Sequence, residues 1–170
     1  MIKGIETKDW RVAYAAIGAL AYFSFDRTYR VLLSNANQMF NFYETLLTCV
    51  QGLTKNEVEI PPATRYAASI ILAKMLADKD LFGIQDAIMK EGVLTHLAKG
   101  LKDKQASVRK ECANIIVQLQ KFVDTKVEMF KPLINPLITN LGDEDETLVV
   151  KTMQCLAMLS LNESLRKYII

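Results

Sequence analysis

The sequence predicts an all-α solenoid, a stack of short helical units sharing one core. Three observations carry this. Apolar or small residues recur with four-then-three spacing at Ala13, Ile17 and Leu20, at Ala68, Leu72 and Met75, at Cys112, Ile116 and Leu119, and at Thr152, Leu156 and Leu159. Each set lies on one helix face. A second pattern, three-then-four, recurs at Leu46, Cys49 and Leu53, at Leu94, Leu97 and Leu101, and at Ile134, Leu137 and Leu141. In the last two copies the patterns are separated identically: Leu101 to Cys112 and Leu141 to Thr152 are both eleven residues, and Asp103 with Asp143, Ser107 with Thr147 and Val108 with Leu148 are each forty apart. A period of this length built from amphipathic helices marks a repeat array, because one such unit cannot bury its own apolar faces.

Helices are predicted at 8–23, 27–33, 38–53, 63–77, 81–90, 93–102, 106–121, 126–141 and 146–160. The connection TKNEVEIPP (54–62) is longer than its counterparts, and Pro62 suits the first turn of the helix after it. Ser107 and Thr147 read as N-caps, since a hydroxyl can accept a backbone N–H there. Pro132 and Pro136 predict a break in 126–141, because each removes a backbone donor. The closing NESLRKYII reads as the first helix of another unit. The whole of 1–170 reads as one repeat domain with units at approximately 8–53, 63–102, 106–141 and a partial 146–170.

Composition narrows the function. The 170 residues are 51% hydrophobic with only 7 Gly and 4 Pro, which suits long helices over tight-turned sheets. Lys plus Arg number 21 against 19 Asp plus Glu, a balance that argues against a protein built to bind nucleic acid. Cys49, Cys112 and Cys155 are far apart and odd in number, with His96 the sole histidine. No zinc spacing exists, and buried thiols in an intracellular, cytoplasmic setting are expected. MIKGIETKDWR is not a signal peptide. The longest uncharged run, Val12–Phe25, falls short of the ~20 residues a spanning helix needs, so no membrane span is expected and a fully buried inner helix is the simpler reading. No phosphate-loop, dinucleotide or nucleophile-elbow motif is present. The acidic GDEDE (142–146) falls in an inter-helix turn, and His96 has no local partner for base catalysis. The expectation is no enzyme, no metal and no cofactor.

The stretch IQDAIMKEGVLTHLAKGLKDKQASVRKECANIIVQL resembles an armadillo repeat. Ile88 and Gly92 fall at the end of the short first helix, Leu94, Leu97 and Leu101 on the second, and Cys112 and Ile116 on the third. Gly92 would make the sharp turn between first and second helices. MFKPLINPLITNLGDEDETLVVKTMQCLAML lacks that glycine, carries the two prolines and resembles the related two-helix HEAT repeat. The resemblance implies a right-handed α-solenoid of about three to four armadillo/HEAT-like repeats, with the third helices lining a concave groove. Matching positions place Ala15, Ala19, Ile70, Lys74, Asn114, Gln118, Gln154 and Met158 inward. Import receptors of this fold carry a Trp and Asn ladder there, whereas this chain's only tryptophan is Trp10 and its groove amides are few, which argues against import-signal binding. Lys74, Arg109 and Lys110 are the cations available for an acidic ligand.

The implied function is a non-catalytic protein–protein interaction scaffold or adaptor, a structural subunit of a larger complex. The alternative is a reversible peptide-binding module of the transport-receptor or chaperone-cofactor kind. The partner-binding groove is Ile70, Lys74, Asn114, Gln118, Gln154 and Met158. The apolar tip Tyr168, Ile169 and Ile170 forms an exposed end suited to cover by a protein partner in a multi-subunit assembly. The aromatic residues of MFNFYETLL (39–47), with Phe23, Phe25 and Tyr29, read as core filler, with a docking patch as the other reading.

Overall fold

The computed structural model describes residues 10–52, 59–79, 81, 83–90 and 92–170, apart from the side chains at 10, 11 and 36–40. The expected helix start at residue 8 and most of the 54–62 connection lie outside these residues. The described helices are α1 (Trp10–Phe23), α2 (Arg27–Phe40), α3 (Phe42–Val50), α4 (Pro62–Ala77), α5 (Ile84–Lys90), α6 (Val93–Gly100), α7 (Ala106–Gln118), α8 (Val127–Asn140), α9 (Glu146–Ser160) and α10 (Glu163–Arg166), with a 3-10 turn at Gln120–Phe122.

They form an α-solenoid in three rows. α1, α4, α7 and α9 stack side by side as one row, and α3, α6 and α8 as a second. Each second-row helix also packs on the third-row helix that follows it. The remaining elements, α2, α5, the 3-10 turn and α10, are the first row and begin successive units. One apolar core runs without interruption from Ile17 to Leu165, as stacked units require.

Local chemistry explains where the helices start and bend. Asp26, Asp145 and Asn162 cap α2, α9 and α10 by accepting backbone N–H groups. The expected hydroxyl caps at Ser107 and Thr147 are not used. Thr147 instead donates its N–H and its hydroxyl to Asp145 Oδ1, and α7 opens after Gln105 with no side-chain cap. A carboxylate at a helix N-terminus meets the positive end of the dipole as well as an orphan N–H, which favours it over a hydroxyl. Gly92 takes φ +74 between α5 and α6, the left-handed turn that a Cβ disfavours. Asn41, at φ +46, divides α2 from α3, so α2 runs seven residues past its expected end at 33. Asparagine tolerates this conformation better than other side chains.

Two expectations are corrected. α8 is continuous through Pro132 and Pro136. Each interior proline costs about 3 kcal/mol, but burial of Phe130, Leu133, Ile134 and Leu137 returns roughly 1.5–3 kcal/mol per side chain. The Val12–Phe25 helix is not fully buried: Ala16, Ile17, Leu20 and Ala21 face the core, while Val12, Ala15, Gly18 and Tyr22 are exposed. It is the first helix of its row, covered on one side by α4. Among the described residues no helix is long and apolar enough to cross a membrane.

Successive units are also tied by charge. Arg65, in the first turn of α4, is buried and holds Asp103 of the next inter-helix turn through Nε at 2.5 Å and through its terminal nitrogen at 3.1 Å. Arg109, in the first turn of α7, holds Asp143 of the following turn. Each arginine also donates backwards, Arg65 to the Ile60 carbonyl and Arg109 to the Asp103 carbonyl. Each aspartate also accepts an N–H two residues on, from Gln105 and Asp145. The equivalent position in α9 is Val149, where the ladder stops.

Replacing Asp103 with Ala leaves the buried Arg65 guanidinium with only the Ile60 carbonyl and the exposed Glu59 carboxylate at 3.6 Å, and should cost about 3 kcal/mol of stability in a denaturation series. The more exposed Arg109–Asp143 pair should cost less on the same change. Acid acts through the same turns. Asp143 is held below the usual 3.8, first by the Asp145 N–H and then by Arg109. A carboxyl lowered by folding stabilises the native state above its unfolded value, and that contribution is lost as pH falls through the folded value. The thermal midpoint should therefore drop as pH falls below about 4, and Asp143→Asn should flatten the drop.

Candidate interaction groove

The third-row helices present one face between their packed sides, and the groove residues fall along it unevenly. On α4, Ile70 is half-buried and Lys74 is exposed, with the Lys74 ammonium 4.6 Å from the centre of the Phe25 ring. On α7, Asn114 and Gln118 are half-buried. The Asn114 amide donates to Glu111 at 3.3 Å, and the Gln118 carbonyl accepts the Gln85 amide at 3.1 Å. On α9, Gln154 is exposed and accepts Lys151 at 3.1 Å, while Met158 is buried in the core. On α1, Ala15 is exposed and Ala19 half-buried. Arg109 is not a groove cation: it is committed to Asp143 and to the Asp103 carbonyl.

Two shallow cavities, of about 540 Å³ and 290 Å³, lie at the C-terminal ends of the third-row helices and share Gln85, Gln118 and Lys121. The larger joins Gln118 to Met158 and adds Asp124, Leu161 and Asn162. The structure thus brings two of the predicted residues into one hollow and leaves Ile70, Lys74, Asn114 and Gln154 on the open face. The polar rim comes from first-row segments, where Lys121 pairs with Asp86 and the Asn162 amide donates to Asp124. Those segments carry no apolar triplet. The signal that finds them is a cap motif: SFDRTYR (24–30) and SLNESLR (160–166) share Ser-x-Asp/Asn-x-x-x-Arg. In both, the arginine donates to carbonyls at the end of the preceding third-row helix, Arg30 to Ser24 and Phe25 and Arg166 to Ser160 and Leu161.

At the predicted exposed end, Tyr168 and Ile170 are exposed. Ile169 packs against the core, and Lys131 stands over the Tyr168 ring at 5.3 Å. The aromatic segment divides between its two readings. Phe42 and Tyr43 are buried core, whereas Phe25 and Tyr29 are exposed, and Phe23 stacks on Tyr29 with centroids 4.8 Å apart. Met39 and Phe40 side chains lie outside the described residues.

Titratable groups follow burial. His96 is lowered by desolvation and then by Lys99. Cys49 and Cys155 are pushed up to about 12 by burial, and Cys112 is raised by burial reinforced by Asp103 and Glu111. Among the described residues no group of three or more His, Cys, Asp or Glu is placed to hold a metal ion.

A family model described as PIK3R4-like, middle domain, matches residues 36–170. The chain belongs to this family. The match takes in the PIK3R4-like middle domain from the second half of α2 to the last residue. No curated protein matches the chain. Among solved structures, a computationally designed armadillo repeat protein for modular peptide recognition superposes with a TM-score of 0.76 at 15% identity. A designed armadillo repeat protein in complex with the peptide (KR)4 gives 0.72 at 14%, and a further engineered protein gives 0.73 at 19%. Each match covers 99% of this chain, which spans 67%, 66% and 64% of those three chains respectively. The PIK3R4-like middle domain described here therefore has the right-handed armadillo-type solenoid fold.

Burial makes the three thiols poor nucleophiles. At pH 8 a thiol reagent should leave Cys49, Cys112 and Cys155 essentially unmodified in the native protein and modify all three in denaturant. Rapid native labelling would contradict the packing described.

Proposed function

We propose that this PIK3R4-like middle domain is a non-catalytic protein-interaction scaffold, an adaptor or structural subunit that works inside a larger intracellular complex. The support is the row of α1, α4, α7 and α9, which offers one long face at little entropic cost, because ordered helices lose little freedom when a partner docks. The three buried, unpaired thiols fit a reducing, cytoplasmic setting. On this reading Ile70, Lys74, Asn114, Gln118, Gln154 and Met158 line the groove side of the face, and the Tyr168–Ile170 tip flanks it.

A designed neighbour of the same fold is recorded in complex with a peptide, which keeps reversible peptide binding as the second reading. One observation favours a fixed assembly contact over it. Two of the groove amides are already engaged, Asn114 with Glu111 and Gln154 with Lys151, and Gln85 occupies the Gln118 backbone carbonyl. A peptide clamp needs amides free to meet an extended backbone, whereas a folded partner can bury the same surface without disturbing them.

The test is native purification of the tagged chain, followed by titration of the partner that co-purifies. Asn114→Ala combined with Gln118→Ala should weaken that binding about tenfold, through the packed contacts that truncating both side chains removes, with the far-UV circular dichroism unchanged. Undiminished affinity would reject the groove assignment. Saturable binding of a short isolated segment of the partner, with the affinity of the whole, would favour the peptide reading.

A further inference from the structure

The aromatic residues at the corner between α1 and α2 play no part in the groove proposed above. Tyr22 is 79% exposed, Phe25 60% and Tyr29 43%. The exposure of Tyr22 does not follow from α1 being the first helix of its row. Tyr22 stands five residues after Ile17, and the positions five after Leu72, Ile116 and Leu156 are Ala77, Lys121 and Leu161. All four are exposed, although α4 and α7 have a neighbour on each side. These positions follow one edge of the solenoid, where the third-row helices end, and of the four only Tyr22 is aromatic.

The corner is held in one shape. Arg30 donates to the Ser24 and Phe25 carbonyls at 3.0 Å each and to the Asp78 carboxylate at the end of α4 at 2.8 Å. Tyr22 meets Phe23 edge-on with centroids 6.0 Å apart, and Phe23 stacks on Tyr29. The available charge beside these rings has one sign. Lys74 stands over Phe25, and Lys79 is exposed next to Asp78. Neither has a carboxylate partner among the described residues. The described carboxylates nearby are engaged: Asp26 caps α2, Arg30 holds Asp78 and Lys121 holds Asp86. The hollow of about 290 Å³ lined by Asp78 and Lys79 adds the apolar surfaces of Ala77 and Leu81. We propose that this corner docks a linear, acidic segment of a partner protein, one that carries a large apolar side chain close to its carboxylates. The rings are already fixed by Arg30 and by one another, so they lose little freedom when covered. Lys74 and Lys79 supply the complementary charge, which sets specificity for acidic over basic segments. Recognition by rings and ammonium groups needs no free amide, so the engaged amides of Asn114 and Gln154 do not oppose it. The site goes beyond the groove reading and shares only Lys74 with its six residues.

The experiment selects random linear peptides displayed on phage against the full chain, with the Phe25→Ala and Lys74→Glu chains as counter-targets. The recovered peptides should be rich in Asp and Glu with a Phe, Trp or Leu close by. The tightest of them, synthesised and labelled, should bind each variant at least about tenfold more weakly, with circular dichroism showing both variants folded. Its affinity for the unaltered chain should fall as salt rises. This readout does not use Asn114 or Gln118, so the corner and the groove fail separately. Enrichment of basic or neutral peptides, no enrichment over the counter-targets, or an affinity indifferent to both substitutions would overturn the proposal. So would sedimentation with phosphatidylcholine–phosphatidylserine vesicles, or dimerisation of the chain, that is lost in Phe25→Ala, since the occupant would then be a lipid surface or a second copy.

Discussion

A buried guanidinium cannot be left alone, and in this chain Arg65 is satisfied only if the turn at Asp103 stands in one place. The pair links the start of α4 to a residue 38 positions later and sets the spacing between neighbouring units. Apolar packing alone is tolerant of sliding, since one aliphatic ridge fits several grooves. A buried ion pair in which one guanidinium nitrogen donates to the carboxylate and Nε stands against its other oxygen is not. The ladder therefore supplies register while the leucines supply most of the energy. Breaking a buried pair is costly even where replacing it with apolar residues would not be, so its contribution lies in which stacking is chosen.

The stacking in turn dictates the helix details. α8 keeps two prolines because its neighbours bury enough of it to outweigh the lost backbone bonds. Gly100 is fixed from outside its own helix: a Cβ there would meet the Cys112 sulfur at 2.5 Å and a Val50 methyl at 3.1 Å. α3, α6 and α7 meet closely at that position, and only a missing side chain lets them. α1 is exposed on one side for the complementary reason, since α4 lies against its other side.

The rows were legible in the sequence because each depends on a pattern that survives divergence. The triplets at Cys112 and Thr152, and at Leu94 and Ile134, name the faces that became core. The forty-residue match of Asp103 with Asp143 marked equivalent turns. The arginines that complete those turns were not legible, because the longer 54–62 connection puts Arg65 and Arg109 forty-four apart and breaks the period. The caps were misassigned as well: at α9 the charged Asp145 outcompetes the Thr147 hydroxyl, whereas α7 opens with no side-chain cap at all. Among the first-row segments α2, α5 and α10 were foreseen, α2 with too short a span, whereas the 3-10 turn at Gln120–Phe122 was absorbed into the expected 106–121 helix because a single turn has no periodicity of its own. The groove was only partly legible. Helical register points Asn114 and Gln118 to the open face, yet it says nothing of Gln85 or Asn162, which reach the same hollow from another row.

A solenoid does chemistry with surfaces, and this one divides its surfaces by how completely they are satisfied. The groove side is polar and internally hydrogen-bonded, so a partner there gains from shape and from covering Ile70 and the exposed aromatic residues near Lys74. The end of α8 and α9 is the opposite case. Its apolar residues have no internal partners, and its charged rung is missing where an earlier unit would have placed one. The ladder and the exposed stripe thus divide the molecule: charge fixes register where two units meet, and apolar area at Ile138, Leu141, Val150 and Met153 stays open to solvent among the described residues.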